Sequence, residues 1–315
     1  MKIVVLDAAS LGEDVDLSPI LNLGEASVYE HVTPEEVPEI IADAEVIVYN
    51  KTKLTAQLLE HARKLKLVCV TATGFDTVDT NYCRTHGIGV CNVPGYSTDS
   101  VAQLTVALAL NLATHLREYR EFVHSGAYSA GNIANKLSPC WQELTGKTWG
   151  IVGGGNIGNR VAKIAEALGC KVLMYRRNPD SVYETVELND LCENSDIISI
   201  HLALNDQTRG MVGAEQIGRM KKNAIVINVA RGAVTDEEAL ARAIEEERIG
   251  ALGVDVYSTE PFGKTHPFSR ILDRDNVCLT PHMAWGSIEA RNRCIAKVAE
   301  NIATFYRGEF LNRVD

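Results

Sequence analysis

The stretch from residue 148 to residue 177 constrains the fold more than any other part of the sequence. It reads as a short apolar strand, a glycine-rich turn, an amphipathic helix and a second strand. Gly153, Gly155 and Gly158 have the spacing G-x-G-x-x-G, at the point where the strand turns sharply into the helix. Glycines let the backbone approach a pyrophosphate there, and the helix N-terminus offers unpaired N–H groups. The stretch therefore predicts a binding site for a nicotinamide dinucleotide.

The end of the second strand bears on which dinucleotide binds. An acidic residue at this position usually accepts hydrogen bonds from the ribose 2′-hydroxyl, but this chain has Arg176 and Arg177. A guanidinium group matches a phosphate through two parallel hydrogen bonds. We therefore expect NADP to be favoured over NAD. The alternative interpretation is a pair of ordinary exposed arginines at a strand end.

Length, charge and cysteine usage narrow the class of protein. A chain of 315 residues fits two domains of ordinary size. A net charge of −10 argues against nucleic-acid partners and anionic membrane surfaces. The eight cysteines contain no C-x-x-C pair, which favours buried reduced thiols and a cytoplasmic setting over disulfides, and no metal site is predicted. The apolar run before Asp7 is too short for a signal peptide, and no apolar stretch is long enough to cross a bilayer.

Strand-like and helix-like patterns alternate along the chain in two series. The predicted strands are 3–6, 28–29, 46–49, 67–70, 90–93, 149–152, 171–175, 197–202, 224–229, 251–254 and 277–280. Pro34 suits a helix start, and an uninterrupted helix is predicted over 98–124. Continuous apolar strands alternating with helices imply parallel sheets covered on both faces. The predicted fold is α/β, with two doubly wound, Rossmann-like parallel-sheet domains.

Ligands of open parallel sheets bind beyond the carboxyl ends of the strands, so reactive side chains are expected at those ends. The candidates are Thr73-Gly74, Arg176, His201, Ala230-Arg231, Asp255 and Pro281-His282. Arg231 follows an uncharged strand, and a guanidinium there calls for an anion as its partner, with a protein carboxylate as the alternative.

His282 is the candidate proton donor and acceptor, because histidine changes charge near neutral pH. A carboxylate partner would orient its ring, and Asp255, Glu260 and Asp273 are the candidates. A nicotinamide site, an anion-binding arginine and an acid/base histidine together specify reduction of a 2-oxo acid. Its carboxylate would meet Arg231, its carbonyl carbon would take hydride, and its oxygen would take the histidine proton.

Several motifs together resemble the D-isomer-specific 2-hydroxyacid dehydrogenases over nearly the whole chain. The motifs are VTATGFDTVD (70–79), NVPGYSTDSVAQ (92–103), GIVGGGNIG (150–158), NVARGAVTDEEAL (228–240), GVDVYSTEP (253–261) and LTPHMAW (279–285). The resemblance implies that Arg231 binds the substrate carboxylate, Glu260 is the partner of the histidine and His282 is the general acid/base. It also implies that backbone N–H groups at Thr73 and Gly74 hold the substrate carboxylate.

The resemblance further implies a cofactor site, a domain arrangement and a partner. The predicted cofactor-binding residues are Gly153, Gly155, Asn156, Ile157, Gly158, Arg176, Arg177, His201, Leu202, Thr208, Val229, Ala230 and Asp255. Of these, Leu202, Val229, Ala230 and Asp255 would line the nicotinamide end. Residues 1–99 and 288–315 would form a discontinuous substrate domain, and residues 100–287 the dinucleotide-binding domain. A homodimer is expected, with the interdomain helix region at the interface.

Within the family, the chain looks most like the hydroxypyruvate reductase and glycerate dehydrogenase group. YNKTKLT (49–55), the TATG loop and Trp285 after HMA carry this likeness. Lys51 and Trp285 are therefore predicted to contact substrate, with a solvated lysine as the alternative for Lys51. The predicted activity is NAD(P)H-dependent interconversion of small 2-oxo acids and D-2-hydroxy acids, with hydroxypyruvate and glyoxylate favoured. Phosphoglycerate dehydrogenase and a dinucleotide-sensing protein like the corepressors of this fold are the alternatives.

Overall fold

The structure is a computed structural model that describes residues 1–177 and 182–315. The strands of the described residues are β1 (Lys2–Val5), β2 (Glu25–Val28), β3 (Val46–Tyr49), β4 (Leu67–Val70), β5 (Gly89–Cys91), β6 (Thr148–Val152), β7 (Lys171–Tyr175), β8 (Glu184–Thr185), β9 (Ile197–Ile200), β10 (Ile225–Asn228), β11 (Ala251–Val254) and β12 (Val277–Leu279). The helices are α1 (Ser18–Leu21), α2 (Val37–Ile41), α3 (Ala56–Leu59), α4 (Thr80–Thr85), α5 (Thr98–Ala113), α6 (Leu116–His124), α7 (Ala127–Ala130), α8 (Asn156–Ala167), α9 (Leu188–Asn194), α10 (Ala214–Arg219), α11 (Glu237–Glu245) and α12 (Ile288–Tyr306).

The chain divides into two compact units. Unit 1 consists of Met1–Ser97 and Trp285–Asp315, and unit 2 consists of Thr98–Ala284. The sequence places the corresponding boundaries after residues 99 and 287. Which unit holds the substrate and which the cofactor remains a prediction.

Unit 1 is built on a five-stranded parallel sheet with the order β2-β1-β3-β4-β5. β3 and β4 are fully buried along their length because both faces of the sheet are covered. One face packs against α12. The N-cap residue of α12 is Ser287, whose hydroxyl oxygen accepts a hydrogen bond from the N–H of Ala290 at 3.2 Å. The strand order reverses between β1 and β3, a doubly wound arrangement.

Unit 2 is built on a seven-stranded parallel sheet with the order β12-β11-β10-β9-β6-β7-β8. Its winding reverses between β6 and β9, as in dinucleotide-binding sheets. The predicted fold class, two doubly wound parallel sheets with one discontinuous unit, is confirmed. Every candidate strand end in unit 2 therefore lies on one edge of a single sheet.

The prediction of one uninterrupted helix over 98–124 is wrong. α5 and α6 are separated at His115, whose φ of 52° is left-handed. α5 packs one apolar face into the core, whereas α6 buries none of its residues, so no common face keeps the two segments in line. Pro34 also does not start a helix: α2 begins at Val37 and has Pro38 in its first turn.

No helix in the described part of the chain is long and apolar enough to cross a membrane.

Candidate active site

The glycine-rich turn between β6 and α8 forms an open backbone cradle. Gly153 has φ of +111°, a left-handed conformation that favours glycine. A Cβ at Gly158 would collide with the carbonyl oxygen of Gly153, so helix and turn can approach this closely only without a side chain. Gly155 is exposed at the N-cap of α8, and a Cβ there would meet nothing within 4 Å. Asn156 and Ile157 follow in the first helical turn, where backbone N–H groups point outward, so the turn fits a pyrophosphate.

Arg176 and Arg177 follow β7 directly. The aliphatic part of Arg176 lies against the turn, since a Cβ at Gly154 would be 3.0 Å from Arg176 Cδ. Arg176 is half-buried and Arg177 is exposed. Because the aliphatic part of Arg176 packs on the glycine-rich turn, its guanidinium lies beside this turn.

His201 follows β9 and belongs to a chain of buried polar groups. Trp149 Nε1 donates a hydrogen bond to Ser199 Oγ at 2.9 Å, and Ser199 Oγ lies 2.9 Å from His201 Nε2. Burial lowers the pKa of His201 to about 3, so its imidazole is neutral at physiological pH. The Ser199 hydroxyl thus links the indole N–H of Trp149 to the imidazole of His201. Leu202 lies next to Gly153 of the turn, 3.1 Å from where a Cβ would be.

Thr208 closes the loop that follows His201. Its hydroxyl donates to the carbonyl oxygen of Ala203 at 2.7 Å and accepts from the N–H of Asn205 at 2.9 Å. The side chain is buried, so its hydrogen bonds stabilise the loop itself. A contact of Thr208 with cofactor remains a prediction.

Arg231 lies in a turn that Asn228, the last residue of β10, holds from beneath. The side chain of Asn228 accepts from Ala230 N–H at 3.0 Å and donates to the carbonyl oxygen of Arg231 at 3.0 Å. Arg231 Nη1 donates to the carbonyl oxygen of Ala230 at 2.8 Å, and Val229 is buried beside it. Asn228 was not among the residues predicted from the sequence; a lone amide at the end of an apolar strand is the signal that could have identified it.

Asp255, after β11, is fully buried and binds the loop that follows β12. Its carboxylate accepts from Thr280 Oγ1 at 2.6 Å and from the N–H groups of Met283 and Ala284, both at 2.9 Å. These three bonds hold the loop that carries His282. The predicted contact of Asp255 with nicotinamide remains a prediction.

His282 forms a short hydrogen bond with Glu260. The distance from His282 Nδ1 to Glu260 Oε2 is 2.6 Å, and the other carboxylate oxygen accepts from Tyr257 N–H at 2.9 Å. The backbone of His282 is left-handed, with φ of 53°. Of the three carboxylates that the sequence leaves open, Asp255 binds backbone N–H groups and Asp273 is exposed, and Glu260 is the partner of His282.

The predicted substrate ligands of unit 1 lie at the carboxyl edge of its own sheet. Thr73 and Gly74 follow β4, and Thr73 is tied down by Asn92, whose Nδ2 donates to the Thr73 carbonyl oxygen at 2.7 Å. Lys51 follows β3 and is exposed, and its backbone N–H donates to Asp7 Oδ2 at 3.0 Å.

Trp285 is a half-buried side chain of unit 1. It packs into the core beneath α12, edge-to-face with Tyr96 at 6.5 Å between ring centroids. The predicted substrate contact of Trp285 remains a prediction.

Comparison with known proteins identifies the family. Residues 106–284 match the family model described as D-isomer specific 2-hydroxyacid dehydrogenase, NAD binding domain. The chain belongs to this family. Its members are oxidoreductases that use a nicotinamide dinucleotide, and the cradle between β6 and α8 fits that cofactor.

Relatives within the D-2-hydroxyacid dehydrogenases span the whole chain. It is 36% identical to a hydroxypyruvate reductase of Blautia hydrogenotrophica, with 100% of both chains covered. It is 35% identical to a glycerate dehydrogenase of Methylorubrum extorquens, with 100% of this chain and 99% of that protein covered. Among solved structures, D-lactate dehydrogenase of Aquifex aeolicus, complexed with NAD and lactic acid, superposes with a TM-score of 0.87. It is 29% identical, and 98% of this chain and 96% of that chain are covered.

Proposed function

We propose that this protein reduces small 2-oxo acids to D-2-hydroxy acids with a nicotinamide dinucleotide, and that hydroxypyruvate and glyoxylate are its favoured substrates. The observation that carries the proposal is the 2.6 Å bond between Glu260 and His282. It lies on the same sheet edge as the glycine-rich turn after β6 and Arg231 after β10. The names of the two relatives, a hydroxypyruvate reductase and a glycerate dehydrogenase, support this choice of substrates.

The side chains divide the reaction between them. Arg231 binds the substrate carboxylate, because its planar guanidinium can form two parallel hydrogen bonds with it. His282 donates a proton from Nε2 to the carbonyl oxygen, since its Nδ1 is engaged with Glu260. Glu260 fixes the orientation of the ring through that bond. When bound, the nicotinamide ring supplies the hydride that adds to the carbonyl carbon, and proton plus hydride give the hydroxy acid.

A steady-state matrix tests the activity. Hydroxypyruvate, glyoxylate, pyruvate and 3-phosphohydroxypyruvate are each assayed with NADPH and with NADH. We expect the highest kcat/KM with hydroxypyruvate or glyoxylate. Preference for 3-phosphohydroxypyruvate would replace the proposal by phosphoglycerate dehydrogenase. Absence of turnover with every pair would overturn the enzyme proposal and leave a dinucleotide-sensing protein.

We also propose NADPH as the preferred cofactor, supported by the position of Arg176 beside the turn. Replacing Arg176 with Asp should lower the ratio of kcat/KM for NADPH to that for NADH by about 10- to 100-fold, because charge-assisted hydrogen bonds to the 2′-phosphate are lost. Lys163→Asp, the same charge change on an exposed position of α8, is the control and should leave the ratio unchanged. An unchanged ratio in Arg176→Asp would show that Arg176 does not read the 2′-phosphate.

A homodimer is proposed for the assembly, supported by the exposed apolar side chains of residues 116–141. They are Leu116, Val123, Ile133, Leu137 and Trp141, each more than half exposed. Apolar groups concentrated in this way mark an interaction surface. Light scattering should give twice the chain mass of 34.4 kDa, and Leu137→Asp should shift it toward the monomer. Phe310→Asp, at an exposed site of unit 1, is the control, and a monomeric wild type would refute the dimer.

A cytoplasmic location is proposed as well, supported by the eight cysteines. All of them are free thiols, and six are buried, which suits a reducing compartment. Cell fractionation with an antibody against the protein should recover it with cytosolic markers, and recovery outside the cytoplasm would contradict the proposal.

A further inference from the structure

A polar cluster in unit 2 lies outside the groups to which the proposed reaction assigns a role. It consists of the buried side chains of Glu237 and His266 and of Ser258, an exposed residue that is hydrogen-bonded to Glu237. Glu237 is 8% exposed and His266 is 9% exposed. Burying a carboxylate is unfavourable unless hydrogen-bond donors surround it. The donors that bind Glu237 therefore indicate which parts of the chain this residue holds together.

Three donors converge on the Glu237 carboxylate. Oε1 accepts from the backbone N–H of Ser258 at 2.8 Å. Oε2 accepts from the hydroxyl of Ser258 and from His266 Nε2, the latter at 3.1 Å. The carboxylate thus accepts hydrogen bonds from both the backbone N–H and the side chain of Ser258.

The tautomer of His266 is set by its other nitrogen. Nδ1 accepts from the backbone N–H of Phe268 at 3.2 Å, so Nε2 must carry the proton that it gives to Glu237. Every group that faces the carboxylate is therefore a donor, and only an acceptor with two oxygens satisfies them all.

The cluster joins the segment that carries Arg231 to the loop that carries Glu260, the hydrogen-bond partner of His282. Glu237 begins α11, in the segment that follows Arg231, and Ser258 lies in the loop that carries Glu260. The segments touch a second time at Gly232, where a Cβ would collide with Tyr257 and Ser258. Glu260 in turn is bonded to the N–H of Tyr257, the residue before Ser258.

We propose that Glu237 is a positioning residue that sets the placement of the Glu260–His282 pair relative to Arg231. Clamping Ser258 fixes the neighbouring Tyr257 N–H, which orients Glu260, and Glu260 orients the ring of His282. The inference rests on the proposed function of these three residues. Proton and hydride transfer need reacting atoms placed within fractions of an ångström, so loosening the clamp should slow the chemical step.

Glu237→Gln is the diagnostic substitution because it keeps the size and removes one acceptor. The amide NH2 of glutamine would face Ser258 N–H on one side or His266 Nε2–H on the other, a donor against a donor. Glu246→Gln is the matched control, because Glu246 follows the same helix and is exposed.

Kinetics and hydrogen exchange give two separate readouts. We expect kcat for the best 2-oxo acid to fall at least about 10-fold in Glu237→Gln, with the KM for NADPH within about twofold. The isotope effect on kcat with NADPH deuterated at both C4 positions should rise toward its intrinsic value. Amides of residues 257–266 should exchange faster. Glu246→Gln should behave like the wild type in each measurement.

The outcomes separate positioning from mere stability and from failure of the proposed function. A lower kcat with an unchanged isotope effect and unchanged exchange would mean only less folded protein, and it would overturn the positioning role. If the wild type reduces no 2-oxo acid, the proposed function fails, whereas faster exchange confined to 257–266 still supports the clamp. If Glu237→Gln does not fold, Ser258→Ala removes only the hydroxyl donor. It should raise the isotope effect with a smaller loss of kcat, and wild-type values would refute the proposal.

Discussion

At the carboxyl edge of the seven-stranded sheet the predicted reacting groups are side chains, whereas at the edge of the five-stranded sheet the predicted substrate ligands include backbone N–H groups. Arg231, Glu260 and His282 lie on loops fixed by buried polar groups such as Asn228 and Asp255. At the other edge, buried or half-buried side chains hold the backbone itself. Asn92 and Asp7 do so for the loops after β4 and β3.

This difference teaches where each region is sensitive to substitution. A side-chain acid or base is lost outright when it is truncated, and the chemical step is lost with it. A backbone N–H is retained in most substitutions of its own residue. Its position is changed instead by substitution of the side chains that hydrogen-bond to the loop. We therefore expect substitutions of the acid/base pair Glu260–His282, at the edge of the seven-stranded sheet, to lower kcat. Substitutions that loosen the loops at the edge of the five-stranded sheet should instead raise KM for the 2-oxo acid.

The largest effect should come from His282→Ala. Removal of a general acid should lower kcat by about 10²- to 10⁴-fold, while NADPH binding measured by fluorescence stays within about twofold of wild type. Met283→Ala, at the exposed neighbouring residue, serves as control. A His282→Ala variant with near-normal kcat would show that this histidine is not the general acid. It would also contradict the assignment of the chemical step to side chains of the seven-stranded sheet.

A moderate effect on KM is expected from Asn92→Ala, which removes the donor to the Thr73 carbonyl oxygen. Losing one hydrogen bond of about 0.5–1.5 kcal/mol should raise KM for the 2-oxo acid by about 3- to 10-fold, with kcat changed less than about twofold. Asn81→Ala, on an exposed position of α4, is the control for steady-state kinetics. A fall in kcat at constant KM would contradict the division between the two edges.

The smallest effect concerns stability rather than rate, in the middle of the seven-stranded sheet. His201 has a pKa of about 3 when folded and an ordinary value of 6.5. Between these two pH values, His201 is protonated in the unfolded chain and neutral in the folded chain. The free energy of unfolding therefore decreases as pH falls from 6.5 toward 3. His201→Asn should reduce the slope of unfolding free energy against pH by at most about 1.4 kcal/mol per pH unit.

Urea unfolding at several pH values below 6.5 measures that slope. His124→Asn, at an exposed histidine of α6, should leave it unchanged. An unaltered slope in His201→Asn would mean that the folded protein admits a proton at His201.

The patterns that the sequence could predict are local ones. The strand–turn–helix around Gly153 and the apolar strands are each formed by consecutive residues. Their local patterns were therefore enough to predict the parallel sheets and the residues at the strand ends. The break at His115 was missed because its left-handed backbone carries no glycine or proline signal.

The hydrogen bonds that hold the loops of the site could not be predicted because their partners are far apart along the chain. Asp255 holds Met283 and Ala284, and Glu237 holds Ser258 and His266, and no periodic pattern links such positions. The spacing also left three candidates for the partner of His282. The choice of Glu260 came from the resemblance, and the short bond between the two side chains is a matter of tertiary geometry.

Single-turnover reduction of hydroxypyruvate with NADPH deuterated at both C4 positions tests the central claim most directly. Enzyme in excess is quenched after one turnover, and the glycerate is examined for chirality and for deuterium at C2. We predict D-glycerate carrying one deuterium at C2, formed by the wild type and reduced to background by His282→Ala. Glycerate of the L configuration, glycerate without deuterium, or an undiminished yield from His282→Ala would contradict the account.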